Sequence, residues 1–164
     1  MADAELSPEL RDALRVLEDH LGKPLPDAHD SHARWELYRA ALATDTARAA
    51  LLGAVRAEPD GALASGVVGE ALERLPRTER ETWIRSLAPE VRAFSERRAR
   101  ELCALEDLRS GALAPGRVPE LIDTWSDWLQ LRIVTEAPDE TVLRALAVSG
   151  RTKRIRRKAA EALG

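Results

Sequence analysis

The sequence predicts an all-α protein: a short stack of antiparallel helix pairs, about eight or nine helices in all, with no sheet. Three observations carry that prediction. The apolar residues are mainly Leu and Ala, with very little Ile and one Phe, a mix that favours helices because strands select β-branched and aromatic side chains. Leucines recur at three- and four-residue steps, the period of one helix face. No stretch alternates apolar and polar residues between turn signals, as a half-buried strand would. At 164 residues the chain fits one domain, 1–164, large enough to bury a core. Within it the sequence marks an acidic N-terminal helix over 1–21, a Pro-rich loop over 22–31 and a helical-repeat body over 32–164.

The elements follow in order. Leu6, Leu10, Leu14, Leu17 and Leu21 lie on one helical face, with Ser7 as cap, Pro8 in the tolerated first turn, and Gly22 and Pro24 as stops. Two prolines with Gly, Asp and Ser then make residues 22–31 a loop. Helices are expected over 32–43 (Trp35, Leu37, Tyr38, Leu42), 46–57 (Leu51, Val55) and 60–74 (Leu63, Val67, Ala71), with Glu58-Pro59-Asp60 breaking the last two apart. Thr78-Glu79-Arg80-Glu81 reads as a capping box opening a helix with Trp83, Ile84 and Leu87. Pro89 starts a long helix reaching Leu108, and a helix with Leu121, Trp125, Trp128 and Leu129 follows Ala114-Pro115-Gly116-Arg117. Pro138-Asp139-Glu140 opens the penultimate helix, Gly150 ends it, and a basic helix closes the sequence.

Sliding the sequence by 91 positions lays residues 52–72 on 143–163 without a gap: Leu52 meets Leu143, Val55 meets Leu146, and Glu70-Ala71-Leu72 meets Glu161-Ala162-Leu163. Trp35, Trp83 and Trp125 open successive helices 48 and 42 residues apart, which brackets the roughly 40–47-residue period of paired-helix repeats.

The last helix, Ile155-Arg156-Arg157-Lys158-Ala159-Ala160-Glu161-Ala162-Leu163-Gly164, resembles the second helix of a HEAT repeat. Its β-branched residue followed by Arg, its small pair and its Ala-Leu-Gly ending carry the likeness. Val142-Leu143-Arg144-Ala145-Leu146-Ala147 resembles that family's first helix, and Leu51-Leu52 through Glu58-Pro59-Asp60 to Ala71-Leu72 resembles a second unit. Gly150-Arg151-Thr152 departs from the Asp usual in the family's inter-helix turn, and the helix from Pro89 matches no unit. The resemblance covers about half of the chain. It implies an α-solenoid or related bundle with a concave binding face, and no activity.

Net charge is −3, a balance that points to neither a polyanion nor an anionic membrane as partner of the whole chain. The distribution is uneven. Residues 1–30 hold eight acids against Arg11, Arg15 and Lys23, whereas residues 151–164 hold six bases against Glu161. A single cysteine, Cys103, excludes an internal disulfide framework. With no apolar leader and no run of eighteen apolar residues, the expected location is the cytoplasm and no membrane partner is expected. Arg greatly outnumbers Lys, a bias that fits a GC-rich bacterial genome.

Candidate sites are few. Arg151, Lys153, Arg154, Arg156, Arg157 and Lys158 form a cationic face around an inner stripe of Ile155, Ala159, Ala162 and Leu163. That face suits an acidic protein, the acidic first helix, or the phosphates of a nucleic acid bound in a salt-sensitive way. Trp125 and Trp128 are candidate binding anchors if exposed, with burial beside Leu121, Leu129 and Ile133 as the default. His29 and His32 with Asp27 and Asp30 offer zinc-type donor atoms, but in a loop with no second ligand cluster, so no metal is expected. Cys103 sits in an apolar helical setting with no His near it to activate a thiol. The glycines at 66 and 69 follow no strand and precede no lysine, which excludes a phosphate-cradling loop; they fit close helix approach instead. The paired carboxylates Glu106-Asp107 and Asp139-Glu140 read as solvated helix ends. The expectation is a non-enzymatic protein–protein interaction module, an adaptor, regulator or inhibitor, with no cofactor and an unidentified protein partner. The alternative is a nucleic-acid-binding protein using the basic terminal helix, related to DNA repair.

Overall fold

The structure, a computed structural model, describes residues 5–164. Among the described residues there are ten α-helices and no strand. Residues 1–4 of the N-terminal segment expected to be helical lie outside the described residues. The chain divides into two compact units, residues 1–98 and 99–164.

The first unit begins with α1 (Pro8–Leu21), where Ser7 Oγ accepts from the Leu10 N–H at 3.1 Å. Gly22 stops it in the left-handed conformation at φ 59°, which glycine adopts without a Cβ penalty. Leu10, Leu14 and Leu17 are buried where α1 packs on α2 (Ser31–Leu42) and α3 (Arg48–Ala57). Next come α4 (Gly61–Arg74), capped by Asp60, and the short α5 (Arg80–Arg85). Within α4, Gly69 marks a close approach, since a Cβ there would stand 3.2 Å from Phe94, whereas one on Gly66 would meet the Trp35 ring at an ordinary 3.7 Å.

A buried polar cluster ties this unit together. Arg34 of α2 donates through Nε and Nη2 to the two carboxylate oxygens of Glu58, both at 2.9 Å, and through Nη1 to the Ala28 carbonyl at 2.7 Å. The Tyr38 hydroxyl donates to Glu58 Oε2 at 2.6 Å, and the Asp60 N–H donates to Oε1 at 3.0 Å. The break between α3 and α4 is thereby bound to α2. Burial, reinforced by the neighbouring Glu58 carboxylate, pushes the Tyr38 hydroxyl well above its usual range. Burial lowers the Arg34 guanidinium, but its hydrogen bonds to Glu58 and that group's charge outweigh this and hold it above its ordinary value.

The helix α6 (Ala93–Ser110) carries the boundary between the units. The second unit continues with α7 (Val118–Leu121), α8 (Asp127–Glu136), α9 (Glu140–Ser149) and α10 (Lys153–Ala162). Its core holds Leu105, Val118, Ile122, Trp125, Leu129, Ile133, Leu146, Ile155 and Ala159 among others.

Three expectations need correction. The count is ten rather than eight or nine because the helix expected through Leu121 and Leu129 is two. Trp125 is extended at φ −94°, ψ 140°, and Ser126 restarts the chain as the cap of α8, its Oγ accepting from the Leu129 N–H. The buried Gln130 side chain holds this break open, donating to the Ile122 carbonyl at 3.0 Å and the Trp125 carbonyl at 3.1 Å. These are carbonyls that an unbroken helix would have satisfied itself. Second, Pro89 opens a 3₁₀ turn over Pro89–Val91, and the long helix starts at Ala93. Third, Thr78 caps nothing: Pro76 leads directly into a 3₁₀ turn over Arg77–Glu79, so the backbone is already helical when α5 begins.

Candidate interaction surface

The helix pair at the C-terminal end of the second unit is built tightly. Asp139 caps α9, its Oδ1 accepting from the Thr141 and Val142 N–H groups at 2.8 and 3.2 Å. Gly150 ends it at φ −56°, an ordinary conformation, so the need for glycine here is space. A Cβ at this position would fall 2.5 Å from the Leu146 carbonyl oxygen and 2.7 Å from Ile155 Cγ2. Thr152 then caps α10, accepting from the Ile155 N–H at 3.1 Å. The α10 helix packs on α9 and α8 and buries Ile155 and Ala159 completely.

The inner stripe is shorter than its sequence pattern. Ala162 is exposed and Leu163 is 39% exposed, so only Ile155 and Ala159 of the expected four are covered. The six basic residues separate by role. Arg151 is part of the fold: its N–H donates to Gln130 Oε1 at 3.0 Å, Nη1 donates to the Trp125 carbonyl at 3.3 Å, and Nε lies 3.0 Å from Asp127. Arg156 donates to the Gly150 carbonyl at 2.6 Å and braces the same turn. Arg157 lies 3.7 Å from Glu161, an exposed pair of little energetic weight. Lys153, Arg154 and Lys158 are exposed and have no carboxylate partner among the described residues. Val148, near the end of α9 and just before this turn, is 80% exposed.

The placement of these cations runs against the helix that carries them. Lys153 and Arg154 are the first two residues of α10, whose first turn has no acid. The N-terminus of a helix carries the positive end of its dipole, and a cation there is unfavourable by roughly 0.3–1 kcal/mol. The helices α1, α8 and α9 follow the opposite rule, with Glu9, Asp127 and Glu140 in their first turns.

The tryptophan pair is divided. Trp125 is 6% exposed and belongs to the core. Trp128 is half-buried against that core, with the Arg132 guanidinium 4.9 Å from its ring centroid. The carboxylates of the histidine loop are spent on its own backbone: Asp27 accepts from the His29 N–H and Asp30 from the His32 N–H, both at 2.9 Å. Among the described residues no three His, Cys, Asp or Glu side chains converge, and no helix is long and apolar enough to cross a membrane. In the first unit an open cleft of about 470 Å³ is lined by Asp45, Arg48, Glu79, Thr82 and Trp83, but Asp45 is bound to Arg48 at 3.0 Å.

No known protein family, curated protein or solved structure matches this chain.

Sequence reasoning missed Glu58, Arg34, Tyr38 and Gln130 as buried polar residues, and Val148 as an exposed one. A signal for Val148 exists: it falls off the Val142, Leu143, Leu146 stripe that α9 buries.

Proposed function

We propose that this chain is a non-enzymatic protein-interaction module of HEAT-like helix pairs, and that the outer face of α10 contacts an acidic partner. The observation that carries the reading is a set of three free cations on α10, two of them at the wrong end of its helix dipole. Lys153, Arg154 and Lys158 have no carboxylate within the described residues, and local helix stability would favour acids at the first two of these positions. A contact outside the helix would offset that local cost. Two further points support the helix-pair reading. Leu51 and Val55 of α3 and Ala64 and Val68 of α4 are buried, as are the residues 91 positions on: Val142, Leu146, Ile155 and Ala159. The small residues of that shared face suit close helix nesting.

A protein fits this surface better than a nucleic acid. Three free cations on a ten-residue helix would release about three counterions from duplex DNA, too few for strong binding at physiological salt. No aromatic side chain stands among them to stack a base, whereas Val148, exposed near the end of α9 just before the turn into α10, suits an apolar element in a protein partner.

The test is a cross-linking pull-down from nuclease-treated native lysate, comparing the wild type with a Lys153→Glu/Arg154→Glu/Lys158→Glu variant, alongside titration of labelled duplex and single-stranded DNA at low and moderate salt. A specific protein held by the wild type and lost from the variant is the expected result. No such protein, together with DNA binding that falls steeply with salt and disappears in the variant, would replace this reading with nucleic-acid binding.

A further inference from the structure

We infer that the acidic occupant of the α10 surface is the outer face of α1 from a second copy of this chain. The inference rests on the interaction reading above and names its partner. The α1 helix turns Leu10, Leu14 and Leu17 inward and presents Asp12, Val16 and Asp19, four and three residues apart, on the opposite side. Val16 is 48% exposed. Glu5, Glu9 and Asp19 are exposed without a cation partner among the described residues, and Asp12 meets only Arg15 at 3.7 Å, an exposed pair.

The two surfaces complement each other. On α1 an uncovered valine sits between Asp19, which has no cation partner among the described residues, and Asp12, which is held only by the exposed Arg15. Beside α10 an uncovered valine, Val148, precedes a turn followed at once by the unneutralised Lys153 and Arg154, with Lys158 one turn further on. A lone exposed valine means little. An exposed valine beside unpaired charge, on two helices of opposite sign, gives both attraction and an apolar centre to a contact. The α1 helix, at fourteen residues, is long enough to cover the ten of α10. Unlike surfaces meet, so each contact is heterologous.

Sedimentation velocity on the full chain tests this. At about 100 µM and about 50 mM salt the weight-average mass should rise with concentration, and at about 0.5 M salt the rise should vanish, because exposed charges are then screened. Lys153→Glu/Arg154→Glu/Lys158→Glu and Asp12→Lys/Asp19→Lys should each weaken self-association at least about tenfold. Mixing the two folded variants should restore association, a rescue that structural damage does not produce. A variant-free arm uses a zero-length carbodiimide cross-linker on mixed ¹⁴N and ¹⁵N chains, with mixed-isotope links joining Lys153 or Lys158 to Asp12 or Asp19 as the expected product. A monomer at every concentration, links confined to single chains, or failure of the mixed variants to associate would overturn the inference. If the chain is monomeric yet the pull-down still retains a protein through α10, self-association fails and the interaction surface stands; if it retains none, both fail.

Discussion

The helix pairs α3–α4 and α9–α10 carry the same inward pattern and end differently. In register at 91 residues, Leu51, Val55, Ala64 and Val68 match Val142, Leu146, Ile155 and Ala159, all buried. The preceding helices α2 and α8 also correspond, one residue further apart: Leu37, Tyr38, Ala41 and Leu42 match Leu129, Gln130, Ile133 and Val134, again all buried. At the far end the match stops. Ala71 and Leu72 are covered, since α4 packs on α2 and α5, while Ala162 is exposed and Leu163 is 39% exposed. Each turn is also bound to the preceding helix by a buried polar side chain, but the chemistry differs: an ion pair with Glu58 in one and the neutral amide of Gln130 in the other. Equal patterns therefore give equal helices, and the surroundings decide which faces remain open.

The largest effect expected from breaking this comparison lies in the first turn. Glu58→Ala strands the Arg34 guanidinium, which is 4% exposed as a residue, and should cost about 3–5 kcal/mol in urea unfolding. The same cluster sets an alkaline limit. Because the folded state holds Tyr38 protonated above its ordinary range, the unfolded chain loses that proton first, near pH 10. Stability from this group is full below about pH 10 and falls as pH rises beyond it. Unfolding of Tyr38→Phe should lack that part of the slope.

Next in size is the covered leucine. Leu72→Ala should cost about 2–5 kcal/mol, and Leu163→Ala, its counterpart 91 positions on, well under about 1 kcal/mol. Equal losses would mean that α10 is as covered as α4. The glycines sharpen the contrast with opposite signs. Gly150→Ala drives a Cβ into Leu146 and Ile155 and should destabilise by about 1–3 kcal/mol. Gly53→Ala, in the interior of α3 with nothing within 4 Å of its Cβ, should stabilise by about 0.5–1 kcal/mol. The smallest change is Lys153→Glu, which relieves a cation at the N-terminus of α10 and should raise thermal stability by about 0.3–1 kcal/mol while weakening partner binding.

What was legible in the sequence was what local chemistry decides. Ser7 caps the helix it precedes, Glu58-Pro59-Asp60 separates α3 from α4, Gly22 and Gly150 end their helices, and the repeat register places the buried faces of both pairs. What was not legible depends on residues distant in sequence. Glu58 reads as a solvated acid in a turn until Arg34, 24 positions earlier, is folded against it. The break at Trp125 is invisible to periodicity because Gln130 satisfies the freed carbonyls from the next helix. On the candidate surface the basic run was visible, but its division into Arg151 and Arg156, which brace the turn, and Lys153, Arg154 and Lys158, which do not, follows from geometry alone.

The chain contains three lysines: Lys23, Lys153 and Lys158. All three are exposed, so Lys23 serves as an internal control for amine labelling of the other two. Labelling rates measured on the dilute purified chain and in nuclease-treated native lysate test directly whether the outer face of α10 is a contact surface. If the face is a contact surface, Lys153 and Lys158 slow in the lysate while Lys23 keeps its rate. Equal rates for all three under both conditions would contradict it.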